Sequence, residues 1–222
     1  MTATTTRRPY RGASLEDRRR DQRERIIAAA RSVFARDGFA ASSIDDIVSG
    51  ARVSRTSFYE LFTSKERCLL AVYQEGIDRV ATAVARAVAR DLEPVDRIRA
   101  EVSAVAATFG RDPEMARVVL IEAVGAGAEV EQARVAARRA MAKVIEDQLA
   151  GYPEWAARTA GERRTVSMSA MASIVEPLSY LVAAGRLSDW ERQVEPITRF
   201  VAGGLIPRGE AGRQAARGRR RR

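Results

Sequence analysis

The chain has 222 residues, 46% of them hydrophobic, and a formal net charge of +9, so it can bury a sizeable core. It contains no histidine and a single cysteine, Cys68. That composition excludes histidine-based triads, histidine metal sites, a cysteine-cluster zinc site and an internal disulfide. No phosphate-cradling G-x-x-x-x-G-K-[ST] and no dinucleotide G-x-G-x-x-G is present, so no cofactor, no metal and no enzyme activity are expected. No apolar run of the ~18–20 residues needed to span a bilayer is visible. The first residues carry charges without the apolar segment of a secretory signal, which points to a cytoplasmic protein.

The charge sits at the two ends. Residues 1–25 hold eight arginines against four acids, and residues 208–222 hold seven against Glu210. Residues 26–207 are therefore close to neutral, at −1. Residues 1–20 read as a basic flexible arm and 207–222 as an Arg-rich disordered tail, since such runs bury nothing. Arms of this kind attract polyanions by releasing counterions, without regard to sequence.

In chain order, Arg25 to Phe34 forms an apolar-periodic helix ending at Gly38-Phe39. Ser42 and Ser43 are hydroxyl caps with Asp45 and Asp46 three positions on, as in a capping box. Ile44, Ile47 and Val48 then mark one face of a short helix. Ser49-Gly50-Ala51-Arg52 breaks the pattern. A second helix, Ser54 to Phe62, turns Phe58, Leu61 and Phe62 inward and Arg55, Thr56, Ser57 and Tyr59 outward. Thr63-Ser64-Lys65-Glu66 reads as a further box of the form T-x-x-E. Two short helices about a tight turn make a helix-turn-helix, at about 43–62, whose second helix suits the major groove of double-stranded DNA. An ordinary helical hairpin has the same spacing.

The order of residues carries more. Ile47, Val53-Ser54, Ser57-Phe58-Tyr59, Phe62, Ser64-Lys65-Glu66 and Leu69 occupy the places of "IA", "GVS", "TxYxxF" and "SKExL". The segment Asp21–Gly76 thus resembles the DNA-binding domain of the tetracycline-repressor (TetR) family of bacterial regulators. Two departures stand out. Arg52 takes the place of a usual glycine and is strained if that position needs positive φ. Arg55-Thr56 replaces a common Arg-Gly or Lys-Gly pair.

The remainder is helical throughout. Leu69, Val72, Tyr73, Ile77, Val80, Val84 and Val88 extend one long helix toward Asp91, closed by Glu93-Pro94. Val95–Phe109, a helix from Pro113 through Ile121, and Glu129–Leu149 follow, the last stopped near Gly151-Tyr152-Pro153. Thr165–Ala184 is the most apolar helix, with Pro177 inside it. Ser188-Asp189-Trp190-Glu191 reads as a capping box for a last helix to Gly203-Gly204.

The resemblance implies an all-α protein of about nine helices, with a DNA-binding domain over residues 21–76 and a ligand-binding and dimerisation domain over 77–206. It further implies a homodimer through helices 165–184 and 189–203, binding a palindromic operator. Base-edge candidates are Arg55, Thr56 and Ser57. Tyr59, Lys65 and Ser43 are candidates for phosphates, with Ser42, Arg52 and Ser54 beside them. Phe109, Met115, Val119, Glu122, Met141, Met168, Met171, Val175 and Tyr180 are candidates for an effector cavity. Glu122 is either solvent-facing or the buried partner of a ligand, the first being favoured. The function expected is that of a homodimeric repressor released from DNA by a small molecule. The alternative is a non-specific nucleic-acid binder acting through its arginine-rich ends.

Overall fold

The computed structural model describes residues 14–88 and 92–206. The C-terminal arginine tail, and the basic arm before residue 14, lie outside the described residues. Among the described residues the fold is all-α, with ten α-helices and no strand.

Helix α1 spans Leu15–Asp37 and so takes in the end of the segment read as a flexible arm. Ser14 supplies the reason. Its hydroxyl accepts the Asp17 N–H at 3.0 Å while the Asp17 carboxylate accepts the Ser14 N–H at 3.2 Å, a capping box that satisfies two donors at the helix start. Hydrogen bonds from the Ser14 hydroxyl, at 2.8 Å, and from its N–H hold the Asp17 carboxyl below its usual range. The helix stops at Gly38, whose φ of 85° suits a residue without a Cβ, and whose N–H closes on Phe34 O at 3.0 Å.

Helix α2 (Ile44–Ala51) packs on α1 and on α3 (Arg55–Tyr59), and α1 packs in turn on α4 (Lys65–Val88). Ile26, Ala30, Phe34, Ile47, Phe58 and Leu69 form a solvent-free centre where the four helices meet. Truncating Phe58 to alanine costs about 3–5 kcal/mol on the usual scale for a buried aromatic. The cap of α4 is Ser64 and not Thr63: the Ser64 hydroxyl accepts the Arg67 N–H at 3.1 Å. A T-x-x-E reading places the box one residue early.

Helix α5 (Pro94–Gly110) opens on Pro94, which occupies its first turn and starts a helix where the sequence suggested an end. Helix α6 (Pro113–Arg117) runs directly into a π-helical turn, Val118–Glu122. Helices α7 (Ala128–Leu149), α8 (Pro153–Ala156), α9 (Ala160–Ala183) and α10 (Trp190–Leu205) complete the body. The extra helix relative to expectation is α8, which Pro153 initiates to bury Trp155. Helix α9 begins at Ala160 because Thr159 and Glu162 form a reciprocal box. No side-chain cap opens α10: Arg186 takes the Asp189 carboxylate at 2.9 Å, and a 3₁₀ turn, Leu187–Asp189, leads in. Both α9 and α10 continue through an internal proline, Pro177 and Pro196, each forgoing one backbone bond.

Two close approaches fix the body. A Cβ added at Gly110 would lie 2.4 Å from Trp190 Nε1, so α10 rests directly on the α5 backbone. One at Gly76 would lie 2.5 Å from Val119 Cγ2, so α4 crosses the π turn without a side chain between them. Helix α9 is long and apolar enough to cross a membrane, against the expectation of no such run. It packs instead on α7 and α10, and only a third of its most apolar stretch is buried within one chain.

Candidate DNA interface and interior cavity

The outer face of the first four helices carries short polar side chains on a rigid base. Ser43 caps α2, accepting Asp46 N–H at 3.2 Å while its own N–H donates to Asp46 Oδ2 at 2.9 Å. The turn passes through Arg52 at φ 55°, ψ 47°, the one positive-φ residue other than glycine among the described residues. A side chain in that left-handed region costs roughly 1–2 kcal/mol, which the surrounding packing must offset. Ser54 then caps α3, accepting Ser57 N–H at 3.0 Å. The α-helical part of α3 is only five residues, shorter than the Ser54–Phe62 expected. Its backbone continues as turns, with Phe62 N–H on Phe58 O at 2.8 Å, and so still seats Phe62 inward.

Arg52, Ser54, Arg55, Thr56 and Tyr59 are exposed on this surface, with Ser57 partly so. The Arg55 guanidinium does not stand free. Its Nη1 lies 3.0 Å from both carboxylate oxygens of Asp45, and it also faces the Tyr59 hydroxyl. An exposed pair of this kind is worth about 0.2–1 kcal/mol.

Two candidates for DNA contact turn inward. Ser42 is buried, its hydroxyl donating to Phe39 O at 2.9 Å. Lys65 reaches back under the loop after α1, donating to Phe39 O and Ser42 O at 2.6 Å each and to Ala40 O at 3.5 Å, with the Phe39 ring 4.5 Å away. Its three donors are thereby spent on carbonyls that no helix satisfies, so the ammonium binds the fold together and does not point outward.

The same loop is held from the other side by the body. Glu122, at the end of the π turn, accepts the Phe39 N–H at 2.9 Å and Arg117 Nε at 2.9 Å. Its side chain is 12% exposed, which corrects the solvent-facing reading and the cavity assignment together. A π turn shifts the register of the helix, and periodicity alone does not reveal that shift. A second junction uses Asp112. Its Oδ2 accepts Arg31 from α1 at 3.2 Å and Arg79 from α4 at 3.0 Å, while its Oδ1 caps Met115 N–H at 3.0 Å. Arg67 on α4 meets Glu129 on α7 at 2.7 Å. None of these junction residues except Glu122 was singled out from the sequence. Apart from Arg117 and Glu122, their acids and arginines lie tens of residues apart, without a local motif.

In the body, α4, α5, the π turn, α7 and α9 line a half-open cavity of about 950 Å³. Phe109, Val119, Met141, Met168, Met171 and Val175 line it, as do Tyr73, Arg134 and Arg138. Met115 does not: it is buried against Gly76. Tyr180 does not either, being two-thirds exposed on the outer face of α9. Cys68 is buried under the first four helices, and that burial pushes its thiol up to about 12, so it is held as an unreactive thiol.

Residues 26–72 match the model of bacterial regulatory proteins of the tetR family. The chain is 26% identical over 187 residues to the HTH-type transcriptional activator FasR of Mycolicibacterium smegmatis, covering 84% of each chain. It is 33% identical over 117 residues to the HTH-type transcriptional regulator EthR of the same organism, spanning about half of each (52% and 54%). In fold it is similar to the fatty acid degradation regulator FadR from Bacillus halodurans, with a TM-score of 0.72 and 19% identity over 84% of this chain and 97% of that one. It is likewise similar to the regulator FadR from Bacillus subtilis in complex with stearoyl-CoA, with a TM-score of 0.72 and 17% identity over 82% and 98%. Residues 26–72, which carry the helix-turn-helix built on α2 and α3, thus match the DNA-binding part of bacterial regulatory proteins of the tetR family, with an all-helical body behind it.

Proposed function

We propose that the protein is a homodimeric, sequence-specific DNA-binding repressor that a small molecule releases from its operator. The observation that carries this reading is the continuity between reader and cavity. Val119 lines the cavity, and Glu122, in the same five-residue π turn, holds Phe39 beside the helix-turn-helix. A ligand that displaces the π turn therefore acts on the loop that positions α2.

In the DNA complex, α3 of each subunit enters the major groove. Arg55, Thr56 and Ser57 face base edges, and Tyr59 and Ser43 face phosphates. Exchanging the Arg55–Asp45 pair for a bidentate base contact is favourable in magnitude, at about 1–3 kcal/mol for the contact against about 1 kcal/mol or less for the pair. Arg52 and Ser54 lie at the edge of the same surface. Ser42 and Lys65 support it from within.

The dimer reading rests on unburied apolar surface. Phe200 on α10 and Tyr180 on α9 are 71% and 67% exposed, and α9 keeps most of its apolar stretch uncovered. Pairing α9 and α10 with a second copy buries that surface and sets two readers on one duplex. FasR, a relative, is named an activator, so the sign of regulation is tested separately by where the operator lies relative to a promoter.

The test is stoichiometry with release. The full chain is titrated onto an operator duplex, and sedimentation is expected to give two chains, or a multiple of two, per duplex. Monomeric binding that no small molecule reverses would overturn the proposal.

A further inference from the structure

The cavity wall holds a charge that its apolar lining does not account for. Arg134 and Arg138 stand one turn apart on α7 and share a single carboxylate, Glu131. Two guanidiniums against one acid leave the cluster positive. The Arg134 side chain is 11% exposed, so little bulk water reaches it, and a cation so placed is costly unless an anion answers it.

Tyr73, from α4, faces the same cluster. It is buried, and both guanidiniums act electrostatically on its phenol. A phenolic O–H and two guanidiniums are all donors, and together they suit the oxygens of an acid, with arginine able to grip a carboxylate or phosphate through two N–H groups. The acid in the lining itself, Glu176, is exposed on α9.

The rest of the lining is mainly apolar, with Arg164, Thr165, Ser169, Glu176 and Ser179 as its polar side chains on α9. Its contact with α9 runs from Arg164 to Ser179, fifteen residues on, or about 22 Å at the helical rise. The side chains along that length include Met168, Met171 and Val175, which adapt to a flexible chain. A compact polyanion meets too much apolar wall, and a neutral lipid leaves the arginines without a partner.

We infer that the effector is a long, apolar chain bearing an anionic group, with the anion held by Arg134, Arg138 and the Tyr73 hydroxyl and the chain laid along α9. This rests on the cavity being the effector site. The anion is a terminal carboxylate or the phosphate of a conjugate, and the experiment separates the two.

Calorimetric titration of the full chain uses palmitate, palmitoyl-CoA and methyl palmitate, beside release of bound operator DNA by each. At least one anionic ligand is expected to bind about tenfold or more tightly than the methyl ester, the scale of a charge-assisted bond. Arg138→Gln, at a partly exposed position, should erase most of that preference, and Tyr73→Phe should reduce it with the fold intact. Loss for palmitate assigns the carboxylate; loss for palmitoyl-CoA alone assigns the phosphate. A methyl ester that binds as tightly as both anionic ligands, or a preference that survives Arg138→Gln, overturns the inference. If none of the three binds while other compounds release the DNA, the ligand class is wrong and the effector mechanism stands. If no compound releases the DNA, the effector mechanism itself fails.

Discussion

The Phe39 N–H donates to Glu122 Oε2 at 2.9 Å, across the boundary between the helix-turn-helix and the helical body. Eighty-three residues separate the two in sequence. The bond ends at the loop between α1 and α2, and Gly38 in that loop leaves little room beside it: a Cβ there would lie 3.3 Å from the same carboxylate oxygen. With Lys65 holding the loop carbonyls from α4, the segment is gripped from two elements that both touch the cavity-lined body. In the function proposed, this grip carries the effect of ligand binding to α2.

Glu122→Ala leaves the Phe39 N–H and Arg117 without their acceptor. The expected loss is about 1–3 kcal/mol for an unpaired, partly buried group, or several degrees in Tm for a chain of this size. In parallel, the effector concentration that half-releases DNA should rise severalfold. Thermal melting and anisotropy on one operator duplex check both, and an unchanged effector response would remove Glu122 from the path.

Lys65→Met should behave as a stability mutation. Its three carbonyl acceptors lose a charged donor, so Tm falls. The slope of log K against log salt stays as in the parent, because no phosphate contact is lost. A slope reduced by about one, with Tm unchanged, would instead mark a phosphate contact.

Asp45→Asn frees the Arg55 guanidinium from its exposed partner and removes a negative charge beside the reading helix. Affinity should rise on operator and random duplexes alike, by severalfold at low salt, while discrimination between them narrows. Gel-shift titrations on both duplexes read the two effects apart.

The capping box at Ser43 should give α2 an acid-sensitive start. Hydrogen bonds from the Ser43 hydroxyl and N–H hold the Asp46 carboxyl below its usual range. A depressed native value means that the stabilisation is present above the unfolded-state value, about pH 4, and is lost as pH falls through the folded one. Asp46→Asn should therefore lower Tm at neutral pH, with the difference from the parent closing on acidification. A constant difference down to acid pH would exclude the carboxylate as its source.

The reading helix was legible in the sequence because its signals are local. Hydroxyl caps three residues before an acceptor, and apolar residues at helical spacing, mark the existence and order of α1 to α4. Helix α1 nonetheless starts ten residues earlier than Arg25, and α3 ends at Tyr59 instead of Phe62. The left-handed turn at Arg52 was visible for the same reason, as a missing glycine. What failed depends on the third dimension. Lys65 and Ser42 sit in a surface motif yet turn inward, because the carbonyls after Gly38 need donors and only the fold brings Lys65 beneath them. Glu122 looked like the polar edge of an apolar helix until the π turn rotated it toward Phe39. Arg134 and Arg138 lie in Glu129–Leu149, a helix with no residue but Met141 marked for the cavity, and only the packing of α7 against α9 and α4 shows them to line it.

In the function proposed, α3 reads DNA sequence in two symmetric copies, with Arg55 setting one position. Selection of bound duplexes from a random pool, run with the full chain and with Arg55→Ala, tests this. The parent should enrich an inverted repeat with half-sites related by a two-fold axis. Arg55→Ala should keep that repeat but lose preference at one base pair in each half-site. Enrichment of no sequence by the parent, or an identical motif from both proteins, would contradict it.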